Sequence, residues 1–199
     1  MMMTHEEARF MEILLICGFS EGYDAWLNRY LETEDPLSRV IVGLIDCGND
    51  TKQIVSCLHA HYADGAVDDA LVCDMLRRYL KEAYDSGRMT RGECTEAMRR
   101  FARCQEDPYE LPWRNMDVLA DYYEMVEDEV ADMARFDREF LPYLNEGIPV
   151  DIDRFWNGLF GPKGGGSRRQ IDIRLIIAAI VLGALVCVGF AVWMMIGTR

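Results

Sequence analysis

From Leu175 to Ile196 the sequence reads LIIAAIVLGALVCVGFAVWMMI, without one charged residue. No other feature constrains the fold so tightly. A helix of that length rises about 33 Å at 1.5 Å per residue, enough to cross a hydrocarbon layer of about 30 Å. A buried helix of a water-soluble core would keep a polar face, and this segment has none. Trp193 falls near its far end, where an indole can sit at headgroup level. The expectation is one transmembrane helix over 175–196.

Lys163, Arg168, Arg169 and Arg174 precede this segment, and Arg199 follows it. Basic residues favour the cytoplasmic side, so the N-terminal part is expected there and the C-terminus on the far side. Arg168, Arg169, Arg174 and Trp193 are the expected membrane-interface anchors. The opening MMMTHEEARFMEILLICGFS has acidic residues where a signal peptide carries basic ones, and no small-residue cleavage site. The chain therefore reads as a single-pass, tail-anchored membrane protein. Ala179, Gly183, Cys187 and Ala191 recur every fourth residue and form an expected helix-packing face. Self-association through that face is a further expectation.

Charge divides the chain in the same place. The net charge is −13, and the stretch from Lys163 onward contributes +4, so residues 1–162 carry −17. Phosphate backbones and anionic headgroups repel such a surface, which excludes nucleic acid as a partner and favours a basic protein. A composition 50% hydrophobic and 28% charged over 199 residues suits a domain with a substantial core.

Caps and glycines predict an all-α domain over 1–160, a compact cytoplasmic bundle of about seven or eight helices. Thr4 with Glu7 makes a capping box for a helix through Ile16, closed by Gly18. Ser20 is expected to start the second helix, with Trp26, Leu27, Tyr30 and Leu31 on one face. Asp35 and Pro36 read as cap and first residue of the third, which Gly48 ends. Helices follow over NDTKQIVSCLHAHYADG and AVDDALVCDMLRRYLKEAYDSG, and Thr90 with Glu93 opens another to about Cys104.

Pro108 and Pro112 then break the pattern. Beyond them Met116, Leu119, Tyr123, Val126, Val130, Met133 and Phe140 follow a three-four spacing, predicting one long amphipathic helix over about 115–141. Its outer side collects Asp121, Glu124, Glu127, Asp128 and Asp132, the expected partner-binding ridge. Asp137 interrupts the apolar seam, so a bundle helix is expected and not a long coiled coil. The aromatic amphipathic segment 151–160 (Ile152, Phe155, Trp156, Leu159, Phe160) is expected to dock on the bundle, and the glycines and basic residues of 161–174 to form a juxtamembrane linker.

Chemistry has few footholds. Cys57, His59, His61 and Asp64 crowd into VSCLHAHYADG. On a helix Cys57 and His61 share a face, and His59 points elsewhere into solvent. Zinc wants four ligands and the second pair is missing; a nucleophilic Cys57 with His61 as base lacks an orienting third group. The stretch reads as a helix ending at Gly65. A calcium loop around Gly87 would have Glu82, Tyr84 and Ser86 as ligands, too few carboxylates. A di-iron bundle needs Glu-x-x-His pairs, and no histidine follows His61. The cysteines are scattered singly, in keeping with a reducing compartment and not a disulfide framework.

No catalytic residue, metal site or cofactor is therefore expected. A tail-anchored helical bundle of this size resembles the general plan of the apoptosis-regulating Bcl-2 proteins. The chain has neither their Asn-Trp-Gly-Arg signature nor their BH3 pattern, so the likeness is architectural. The expected function is a membrane-tethered, non-enzymatic interaction or adaptor protein with an acidic helical domain. The alternatives are an immunity or inhibitor protein that neutralises a basic enzyme or membrane-targeting toxin, and an enzyme using Cys57 and His61.

Overall fold

The computed structural model describes residues 2–151. Among the described residues are eight α-helices and no strand: α1 (His5–Ile16), α2 (Tyr23–Thr33), α3 (Arg39–Cys47), α4 (Thr51–Tyr62), α5 (Asp69–Asp85), α6 (Arg91–Arg103), α7 (Arg114–Glu127) and α8 (Met133–Glu146). None of these helices is long and apolar enough to cross a membrane. The segment 175–196, its small-residue face Ala179, Gly183, Cys187 and Ala191, and the anchors Arg168, Arg169, Arg174 and Trp193 lie outside the described residues. So does the aromatic segment beyond Asp151.

Local hydrogen bonding sets most boundaries. Thr4 Oγ1 accepts the Glu7 N–H at 3.1 Å, and the Glu7 carboxylate accepts the Thr4 N–H at 3.0 Å. Thr90 and Glu93 repeat this reciprocal cap on α6. Asp50 and Asp68 cap α4 and α5 through their carboxylates.

Two starts differ from expectation. The second helix begins at Tyr23, after Gly22 in the left-handed region at φ 86°, and not at Ser20. The third begins at Arg39 with Ser38 as its cap residue, so Asp35 and Pro36 lie before it. The Glu34 carboxylate accepts the Ser38 N–H at 3.0 Å, which folds 35–37 into a loop.

The long helix expected over about 115–141 is two helices. α7 ends at Glu127 and α8 begins at Met133. Met125 O accepts the N–H groups of both Val130 and Ala131 at 2.9 Å, and Glu129 turns the chain at φ 59°. Asp132 then accepts the Ala134 N–H at 3.0 Å as the cap of α8. Turning back lets Phe136, stacked on Phe140 one turn along α8 at 5.1 Å, meet Tyr122 and Tyr123 edge-on, with ring centroids 5.6 and 5.3 Å apart. Aromatic burial of this kind outweighs the few helical hydrogen bonds lost at the turn. Val130, placed by spacing in the apolar stripe, is instead 68% exposed. Pro142 sits inside α8, which runs on to Glu146 because Tyr143 and Leu144 are buried beyond it.

α1 packs against α4 and α5, α3 against α4, α6 against α7, and α8 against α5 and α7. Ile13, Leu58 and Leu76 are fully buried at the first of these junctions; Met98, Phe101, Met116, Phe136 and Phe140 fill the second half. Buried Arg77 of α5 donates to Asp74 Oδ1 at 2.6 and 3.0 Å and to Leu144 O at 2.6 Å, tying α5 to the end of α8. The chain passes Arg77 closely at Gly147, where a Cβ would come 3.3 Å from its Nε.

Candidate functional site

The polar heart of the bundle lies between α1 and α4, at a residue the spacing did not single out. Glu12 is only 3% exposed although its sequence neighbours are apolar. Arg9, one turn earlier on α1, donates to Glu12 Oε2 at 2.7 Å. Tyr62 of α4 donates its hydroxyl to the same oxygen. His59 Nδ1 lies 3.2 Å from Glu12 Oε1 and 3.0 Å from the Tyr62 hydroxyl. Arg9 also donates to Tyr62 Oη at 2.8 Å and to Gln105 Oε1 at 2.8 Å, just past the end of α6.

Residues 9 and 12, and 59 and 62, are each three apart, so each pair shares a helix face, and the two faces meet. Burial costs a carboxylate several kcal/mol unless it is paired and hydrogen-bonded, and here both oxygens have partners. Burial opposes the Arg9 charge, yet its bonds to Glu12 and Tyr62 hold its pKa above the ordinary value. Burial, then the bond to Glu12, pushes the Tyr62 hydroxyl up to about 12.

A cleft of about 510 Å³ opens above this network, walled on one side by the 105–113 loop. Its floor has Arg9, His59 and Tyr62, and its rim carries the exposed carboxylates of Asp69, Glu106, Asp107 and Glu110. His59 is thus tied to the network while its side chain stays 60% exposed.

Cys17 and Cys104, the residues that close α1 and α6, meet beside this junction with their sulfurs 3.4 Å apart. The hydrogen bond from Cys17 lowers the Cys104 thiol to about 7; burial works against this and the nearby Arg9 supports it. The same bond, reinforced by burial, raises the Cys17 thiol well above its ordinary value.

The expected acidic ridge is divided by the α7–α8 turn. Arg99 of α6 lies 2.8 Å from Glu124 and 3.7 Å from Asp121. Burial, then Asp117, raises the Asp121 carboxyl above its usual range. Glu127 and Asp128 stand exposed at the end of α7, and Asp132 is occupied in capping α8. Asp137, the residue out of place in the seam, is 2.9 Å from Arg91, an ion pair whose N–H is not aligned for a hydrogen bond.

Cys57 and His61 have separate partners. The Cys57 thiol faces Val40 O at 3.8 Å, and burial, followed by Cys47, raises its pKa, the wrong direction for a nucleophile. His61 Nε2 lies 3.3 Å from Met3 O, with the His5 ring edge-on at 5.3 Å. α4 itself ends at Tyr62, and Gly65 beyond it leaves room for His5: a Cβ there would come 2.1 Å from the imidazole. Among the described residues no three His, Cys, Asp or Glu side chains converge as a metal site would require.

The buried network was legible only in part. Arg9 with Glu12 is a visible helical pair, and a glutamate inside the apolar run MEILLI is the local signal of a buried charge. Tyr62 and Gln105 stand 53 and 96 residues from Arg9, and nothing local announces them. Against protein-family models, curated proteins and solved structures the chain has no significant match, so no family is assigned and the Bcl-2 likeness carries no argument.

Proposed function

We propose that this chain is a membrane-tethered, non-enzymatic interaction protein whose acidic helical domain binds a basic protein partner at the cytoplasmic face. The observation that carries the reading is the charge of −17 over residues 1–162, set against an uncharged stretch at 175–196. A tether confines the domain to one surface and raises its effective concentration for partners already there. Acidic surface then selects for basic partners and speeds their arrival.

The geometry favours binding over catalysis. The Glu12 carboxylate is held by Arg9, Tyr62 and His59, an arrangement that joins helices and occupies this carboxylate. Exposed acidic groups are spread over the domain, and among them the cleft rim (Asp69, Glu106, Asp107, Glu110) and the α7 end (Glu127, Asp128) each bring several together. Asp121, Glu124 and Asp132 extend the second surface, although each already has a structural partner. Neutralisation of a basic toxin would use the same surfaces and is the second form of this reading.

The test is crosslinked capture of the full-length protein from its native membranes, alongside a variant with Glu127, Asp128, Glu106 and Glu110 changed to Gln or Asn. A basic partner retained by the parent, lost from the variant and released by salt supports the proposal. Equal capture by the variant, or by the 161–199 segment alone, overturns it. Resistance of the parent to alkaline carbonate extraction, and release on deleting 175–196, tests the tether separately.

A further inference from the structure

We propose that Cys17 and Cys104 form a redox-active dithiol that a peroxide converts to an intramolecular disulfide. This goes beyond the interaction reading and does not depend on it. The two residues are 87 positions apart in sequence, yet their sulfurs are in contact at 3.4 Å. A disulfide draws sulfurs to about 2.05 Å, so they must approach by little more than 1 Å. Both lie at helix C-caps, where the chain leaves the helix and can yield more readily than within it.

The pair is also asymmetric in the way the chemistry needs. Cys104 is partly buried but the more open of the two, so a small oxidant meets it first, whereas Cys17 is 8% exposed. Attack of the Cys104 thiolate on one peroxide oxygen breaks the O–O bond and expels hydroxide, which takes up a proton and leaves as water. Cys104 is then a sulfenic acid. Cys17 gives up its proton and attacks that sulfur; the S–S bond forms and a second water departs. Two thiols have lost two electrons and two protons, and the peroxide has become two waters.

The new bond would reach the cleft directly. Cys104 immediately precedes Gln105, which holds Arg9, and the chain from Gln105 to Trp113 walls the cleft. Oxidation therefore pins the first residues of that wall to the end of α1. In a reducing compartment the pair would be reduced at rest and oxidised transiently.

The experiment treats the full-length protein with hydrogen peroxide at pH 7, blocks remaining thiols with N-ethylmaleimide, and identifies linked peptides by mass spectrometry. The expected first product is a Cys17–Cys104 link, lighter by two hydrogens, reversed by dithiothreitol and formed before Cys47, Cys57, Cys73 or Cys94 is modified. In Cys17→Ser, Cys104 should accumulate as a dimedone-reactive sulfenic acid. The iodoacetamide reactivity of Cys104 in the parent should reach half its maximum near pH 7, giving roughly fifteenfold more thiolate there than an ordinary cysteine. A Cys47–Cys57 or intermolecular link forming first, or Cys104 advancing to sulfinic acid in the parent without a crosslink, overturns the proposal.

Discussion

Glu12 is the residue on which the α1–α4 junction most depends, because it brings a negative charge into the core and collects three partners there. Removing one member of a buried charged network leaves the others unpaired. Glu12→Ala is expected to lower the unfolding free energy by about 3 kcal/mol, and Glu12→Gln, which keeps shape and an acceptor, by about 1–2 kcal/mol. Urea unfolding of the full-length protein in detergent, followed by circular dichroism, checks both. His59→Ala should cost under about 1 kcal/mol, since its side chain is 60% exposed and water can take over its hydrogen bond. Equal losses at 12 and 59 would mean the network is not anchored on the carboxylate. Titration adds a second residue-scale expectation. Burial pushes the Cys73 thiol up to about 11 and the Cys94 thiol and Tyr62 hydroxyl up to about 12. Each folded value lies above its unfolded one, so the folded state binds the proton more tightly and that stability is whole below about pH 9. It is lost as pH rises through roughly 9 to 12. Urea midpoints measured at pH 7, 9 and 10.5 should therefore fall progressively above 9; a flat profile would contradict the burial of these groups.

At the scale of the element, the sequence was most readable where one helix end is decided within four residues. The Thr4–Glu7 and Thr90–Glu93 boxes, the caps before α4 and α5, and the glycines after α3 and α5 all work through local pairs. The division between α7 and α8 is different. Heptad-like spacing belongs to each of the two helices, and continuity across 128–132 was inferred because that spacing resumes in phase. What breaks it is the return of Phe136 and Phe140 onto Tyr122, Tyr123 and Tyr84, contacts no local pattern reveals. Asp132 carries the residue type of a cap, and only the turn before it shows that its carboxylate faces α8 and not a partner. Two substitutions at this turn should have opposite signs. Asp132→Ala removes the cap and should cost about 1 kcal/mol. Glu129→Gly releases a side chain from φ 59° and should leave stability unchanged or raise it by up to about 1 kcal/mol. Thermal unfolding of both variants beside the parent decides the matter: if Asp132→Ala is neutral, the cap does not hold the turn.

For the whole molecule the question is how so acidic a domain stays folded and what its charge is for. Composition made the excess visible, but not its distribution. Ion pairs engage several carboxylates, Glu12 with Arg9, Asp74 with Arg77, Asp137 with Arg91 and Glu124 with Arg99, but many others stand exposed, at the cleft rim, at the α7 end and elsewhere on the surface. Exposed carboxylates there repel one another, and the repulsion acts against the compact state. Added salt shortens its range to about 8 Å at physiological ionic strength and less above it. The exposed helix pairs, Lys81 with Asp85 and Arg100 with Glu96, weaken too, but each contributes only about 0.3–0.5 kcal/mol. Raising sodium chloride from 20 to 500 mM should therefore increase the urea midpoint of the full-length protein. Binding of a basic partner should change the other way, because screening removes the attraction that selects it. The two salt dependences have opposite signs for one physical reason, a surface crowded with like charge. Loss of partner in high salt would then occur while the domain is becoming more stable, so release could not be ascribed to unfolding. If salt weakens binding and stability together, release is ascribed to loss of the folded domain, and the salt dependence of binding no longer supports an acidic contact surface.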